Sequence, residues 1–139
     1  MITTAVPLTL FLAKVLGGYM IFAGISGFTS KDRWENLILE LRESAALSFI
    51  TGVVVYVLGA SILYAHHHWT DPMAIIVTLL GWGGLIEGAL FLAIPKLFMD
   101  VTLKFFQPST YRPFAAFAVI GGIVLMICAS IATAGPPIG

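Results

Sequence analysis

The sequence predicts an all-α integral membrane protein: a four-helix bundle of two helical hairpins, with amphipathic helices lying at the cytoplasmic interface. Three observations lead there. Of the 139 residues, 59% are hydrophobic and only 10% charged, whereas a soluble domain carries roughly 25% Asp, Glu, Lys and Arg. Four apolar runs, near residues 7–28, 45–64, 73–92 and 113–134, each reach the ~20 residues that cross about 30 Å of hydrocarbon. The runs are continuous rather than alternating, which fits helices and not the strands of a membrane barrel. They fill more than half the chain, so residues 1–139 read as a single membrane domain with no room for a soluble catalytic one.

The first run reads as a retained span. It lacks a basic leader, Lys14 interrupts it, and it is too long for the core of a cleavable signal. A formal net charge of zero argues against a nucleic-acid partner. Cys128, the single cysteine, lies inside the fourth run and excludes an internal disulfide.

Cations set the orientation. Lys31, Arg33 and Arg42 lie between the first two runs, and Lys96, Lys104 and Arg112 between the last two. Neither terminus, nor the connection at 65–72, contains any. The positive-inside rule places those two loops in the cytoplasm. Both termini and the histidine-bearing connection then face the periplasm of a bacterial inner membrane.

The halves resemble each other. Gly17, Gly18 and Gly24 align with Gly81, Trp82 and Gly88 at an offset of 64, and Gly52 and Ala60-Ser61-Ile62 align with Gly121 and Ala129-Ser130-Ile131 at 69. The repeat units would be 7–64 and 73–134, each a span, an amphipathic loop segment and a returning span. Their pseudo-axis would run along the membrane normal. Small residues recur seven apart at Gly17/Gly24, Gly52/Gly59, Gly81/Gly88 and Gly121/Cys128, with Gly84 one turn before Gly88. That spacing keeps them on one seam of a helix pair, where small side chains let backbones approach in lipid. In the first loop Trp34, Leu37, Ile38 and Leu41 share a face; in the second Phe98, Val101 and Phe105 oppose Lys96, Asp100 and Lys104. Both read as helices on the inner leaflet.

Glu87 is the most informative single residue. A carboxylate inside the third run costs ~3 kcal/mol when ionised, so it marks a functional site or a packing lock, facing the bundle or a neighbour. Lys14 is the other intramembrane charge. The repeat sets it nine residues from Glu87 in depth, roughly 13 Å, too far for a direct bridge, so it snorkels outward. His66, His67 and His68 with Asp71 suggest a metal site through His66, His68 and Asp71. Three consecutive histidines point in different directions, however, and cannot all reach one ion from a helix, so polar residues gathered beside Trp69 at the interface are the better explanation. No nucleophile motif, phosphate loop or carboxylate pair occurs, so no enzyme and no cofactor is expected.

His66, Trp69, Ile76-Val77-Thr78-Leu79-Leu80-Gly81-Trp82 and Gly88 resemble an uncharacterised family of small four-span bacterial inner-membrane proteins. Lys14, Leu16-Gly17 and Tyr19 fit the same pattern. The resemblance covers about the first two-thirds of the chain, implies the four-span architecture, carries no activity and transfers no site; if His66 is the family position, it is the histidine to test. The function expected is that of a non-catalytic accessory or assembly subunit in a homo-oligomer or larger membrane complex. The alternative is a small transporter or ion-conducting oligomer that uses Glu87.

Overall fold

Apolar length fixes where the long helices lie, and single residues fix where they stop. The computed structural model describes residues 3–4, 7–105, 107 and 110–134, with the backbone alone for residues 3, 4, 31 and 134. The helices among these are α1 (Pro7–Thr29), α2 (Lys31–Glu43), α3 (Ala45–Ala65), α4 (Pro72–Ala93), α5 (Pro95–Phe105) and α6 (Tyr111–Ile131). Four of them, α1, α3, α4 and α6, are long and apolar enough to cross a membrane. Each carries large apolar side chains in full view, among them Phe22, Leu58, Leu79 and Phe117. Such surface is at home in hydrocarbon.

Local chemistry sets the breaks. Ser44 leaves the helical region, and its Oγ accepts the Leu47 N–H at 3.2 Å to start α3. Asp71 does the same for α4, accepting from Ala74 N at 2.9 Å, with Pro72 at the first helical position, where no N–H is needed. Pro95 drives Ile94 out of the helical region (φ −138°, ψ 54°) and so separates α4 from α5. One residue, Ser30, Ser44 or Ile94, separates each of α2 and α5 from the spans beside it at those breaks. The last span starts two residues earlier than expected and ends at Ile131. Pro113 is tolerated in its first turn, where the N–H groups have no helical partner. Beyond it Thr133–Ala134 (β2) pairs in parallel with Thr3–Thr4 (β1), tying the start of α1 to the end of α6.

The spans pack as two close pairs, α1 with α6 and α3 with α4, and α1 touches α4 more lightly. Segments 7–64 and 73–134 are therefore not packing hairpins in themselves: each contributes one helix to each pair. Glycine spacing marks a seam, but it does not say which helix lies across it. A Cβ on Gly59 would sit 2.3 Å from the Leu85 nitrogen, and one on Gly88 2.3 Å from that of Tyr56. The backbone of α6 is also near but less tight: a Cβ on Gly17 would stand 2.9 Å from Gly122 O, and one on Gly24 2.8 Å from Ala115 O. Gly52 and Gly81 abut the side chains of Phe91 and Ile62, and Gly84 is looser, 3.4 Å from Gly59 Cα.

On α6 the expected seam, Gly121/Cys128, is displaced by one residue. Ala115, Gly122 and Ala129 are the small residues among those buried on α6, and a Cβ on Gly122 would stand 2.7 Å from Gly17 O. A Cβ on Gly121 would meet just the end of a flexible side chain, the Met20 methyl at 3.2 Å. One step along a helix turns a side chain by about 100°, so sequence spacing alone could not separate the neighbouring glycines.

The pairs join near His66, at what is termed here the histidine end. There Ala13, Met73, Val77, Leu125, Ala129 and Ala132 form a buried cluster. At the opposite end α2 and α5 lie side by side, and Arg42 Nε donates to Asp100 Oδ1 at 2.8 Å. On α2 the half-buried residues include Trp34, Ile38 and Leu41, whereas Leu37 is exposed. On α5 Met99 is buried and Phe98 meets the Phe91 ring edge-on at 4.9 Å. Val101 and Phe105, expected beside Phe98 on one face, are exposed.

Candidate functional site

Among the described residues two groups of polar side chains stand apart in character. The first is a buried chain at the histidine end. Thr9 on α1, His66 just beyond α3 and Thr78 on α4 have no exposed surface. His66 Nε2 lies 2.6 Å from Thr9 Oγ1, and His66 Nδ1 lies 3.4 Å from Thr78 Oγ1. Thr78 Oγ1 donates onward to the His68 carbonyl at 3.0 Å. The neutral Nδ1–H tautomer fits this order: Thr9 donates to Nε2, Nδ1–H donates to Thr78, and Thr78 donates to the backbone. Each buried donor then has an acceptor, as buried polar groups require. Burial holds the His66 pKa below its usual value. The neighbouring His68 ring, edge-on at 5.2 Å, pushes the same way, while the local backbone and Asp71 oppose.

The remaining histidine-end residues do not converge. His67 turns to Trp69, accepting from its Nε1 at 3.4 Å, and lies 6.4 Å from the Trp82 ring. Asp71 caps α4. Among the described residues no group of three His, Cys, Asp or Glu side chains is placed to hold a metal ion. The set His66, His68 and Asp71 is thus not assembled, because both His66 nitrogens face threonines. Thr9 and Thr78 were not singled out in the sequence. The chemical signal for each was a hydroxyl within an apolar run, which a helix commonly satisfies with its own backbone, although Thr78 also lies within the stretch that carries the resemblance.

The second place is the open face of α4. Glu87 is exposed, and no hydrogen bond or ion pair reaches it from the described residues. Of the two directions expected, into the bundle or toward a neighbour, it does not take the first: Gly84 and Gly88 take the α3 side, and Glu87, one residue from Gly88, is rotated about 100° away. It lies two turns beyond Leu80 on the same stripe. Leu80 packs against the cluster that joins the pairs, so Glu87 begins where that contact has ended. Gly83, one turn before it, has nothing within 4 Å of where a Cβ would stand. Lys14 is also exposed on α1. Its neighbour Ala13 packs with Val77, and Glu87 is ten residues past Val77, about 15 Å along the axis. The two charges are not brought together.

A cavity of about 490 Å³ also opens between the ends of α1 and α6 and the α2 helix, with Gly27, Trp34, Ile38, Tyr111 and Phe114 on its walls. Trp34 is pinned there by its Nε1 donating to Ser26 Oγ at 2.7 Å. No protein-family model, curated protein or solved structure matches this chain.

Proposed function

We propose that this chain is a non-catalytic accessory or assembly subunit of a larger membrane complex. One observation carries the reading: Glu87 stands on the outside of the protomer at a depth where hydrocarbon would surround it. An ionised carboxylate there costs ~3 kcal/mol, and nothing within the described protomer offsets it. A neighbouring protein does so without any change in the fold. The polar groups turned inward, Thr9, His66 and Thr78, are hydrogen-bonded to each other and to backbone, which supports a structural interior rather than a conducting one.

The packing also supports two related units, 7–64 and 73–134, that exchange partners about an axis along the membrane normal. Gly122 meets Gly17 O as Gly59 meets Gly81 O. With that correspondence the offset of the returning helices is 63, in place of the 69 read from the sequence. Five of the seven basic residues stand in α2 and α5, and a sixth, Arg112, lies in the first turn of α6, which supports that end as cytoplasmic, with the chain in a bacterial inner membrane and both termini outside.

Native mass spectrometry of the complex, released gently from its own membrane, tests the proposal. Masses that include unrelated subunits support it. A homo-oligomer would favour the second reading, an ion-conducting assembly that brings Glu87 together between copies. Loss of proton-coupled flux in liposomes on Glu87→Gln, with assembly intact, would then establish that alternative.

A further inference from the structure

We infer that the cavity between the ends of α1 and α6 and the α2 helix holds one acyl chain of a membrane phospholipid, with the headgroup phosphate at its mouth beside Lys104 and Arg112. The cavity owes its existence to one small residue. Across the α3–α4 seam Phe91 sits on a glycine: a Cβ on Gly52 would stand 2.9 Å from the Phe91 Cβ. The Phe91 ring is buried there and meets Phe98 edge-on at 4.9 Å. At the offset of 64 Gly27 and Trp34 are the counterparts of Phe91 and Phe98, and at 63 Ala115 is the counterpart of Gly52. The sizes are thus exchanged across α1–α6, where a Cβ on Gly27 would stand 2.7 Å from the Ala115 Cβ. Position 27 supplies no ring, and a cavity of about 490 Å³ is left, within the range of about 300–1,000 Å³ typical of small-molecule sites.

The walls grade from polar to apolar. Glu35 on α2, Gln107 after α5 and Tyr111 in the first turn of α6 line the end near α2, whereas Ala23, Gly24 and Ala118 line the part farther into the spans. From Tyr111 to Ala118 the α6 wall runs about 10 Å along the axis. Trp34 adds no donor, because its indole N–H is given to Ser26. Leu39 and Phe114 are wall residues about half exposed, so the cavity opens to the surroundings of the helices, and beside apolar spans those surroundings are lipid. A molecule with a polar end and an apolar tail matches the gradient, and phospholipid is the one present in excess. Lys104 and Arg112, both exposed, follow the wall residues Leu103 and Tyr111 in the chain. They supply cations at the level of an interfacial phosphate. A phosphate drawn inside would meet the Glu35 carboxylate, which keeps it at the mouth.

The test uses the full-length chain in detergent micelles with a limiting amount of phosphatidylglycerol that carries a diazirine in one acyl chain. Photo-labelled residues are read by peptide mass spectrometry. Labelling should concentrate on the wall, at Ile38, Ala118 and their neighbours, above the level at exposed Leu58 on α3. Gly27→Phe combined with Ala115→Gly copies the α3–α4 arrangement, and should remove the wall labelling while keeping the unfolding midpoint. Lys104→Gln with Arg112→Gln, or a diacylglycerol bearing the same tail in place of the phospholipid, should lower it about tenfold. Labelling no denser on the wall than at Leu58 overturns the inference, whether or not any variant folds. Wall labelling that survives in the Gly27→Phe, Ala115→Gly chain at an unchanged midpoint overturns it too. Equal labelling by diacylglycerol and phospholipid overturns the phosphate's place at the mouth, and so does indifference to both cations. A photo-reactive side chain at position 39 that joins to protein in the native membrane, and not to lipid, would mean that a partner's side chain fills the cavity, and refutes the inference.

Discussion

The seams within the helix pairs and the junction between them are held by different physics. Within α1–α6 and α3–α4 the backbones meet over glycine, with no space for a methyl group at Gly59 or Gly88. Between the pairs the contact is lighter and is fastened by a buried hydrogen-bonded chain through His66. Close packing is intolerant of added volume and indifferent to pH. A buried imidazole is tolerant of small shape changes but answers to protons. The pairs are thus the rigid bodies of the fold, and the junction between them is its chemically sensitive part.

The largest effect that would break this contrast is expected at Gly88. Gly88→Ala sets a methyl group 2.3 Å from the Tyr56 nitrogen and should destabilise the α3–α4 pair by about 3 kcal/mol, read as an earlier unfolding midpoint in a denaturing-detergent titration. Gly18→Ala meets nothing within 4 Å and should leave that midpoint unchanged. Equal responses would mean that the seam is not where the stability lies. His66→Ala comes next. It empties a fully buried position and strands the Thr9 hydroxyl, for about 2 kcal/mol, with the α1–α4 contact weakened before either pair.

The same histidine predicts a pH dependence. Its pKa is lowered in the fold, so below about 6.5, its usual value, the unfolded chain binds a proton that the folded chain does not. The stability linked to neutral His66 is then complete above about pH 6.5 and is lost as pH falls below it. Unfolding midpoints measured from pH 7.5 to 5 should fall at acid pH, and His66→Gln should flatten the curve. The smallest effect is expected at Arg42→Ala. The pair with Asp100 is half exposed on both sides, and its loss should cost about 0–1 kcal/mol, diminishing further in high salt.

The long helices were legible in the sequence because a continuous apolar run is a one-dimensional signal. Their pairing was not, since the glycines of α1 advertise a close neighbour without naming α6 rather than α3. The same limit displaced the α6 seam by one residue, from Gly121 to Gly122. Among the histidines, metal-ligand spacing pointed to a set that the backbone directs apart. Glu87 was legible as costly, but its direction depended on a rotation of about 100° that only the packing of Gly84 and Gly88 decides.

The pairing of the first span with the last bears on how the protein is made. Chain emerges at about 5–20 residues per second, and the helix α1 is complete at Thr29 whereas its partner α6 ends at Ile131. About a hundred residues separate the two events, so the first helix spends roughly 5–20 s without the surface it is shaped for. The α3–α4 pair can close during that interval. The nascent protein thus exposes a bare glycine face to lipid, or to whatever insertion factor shields it, until the final span arrives.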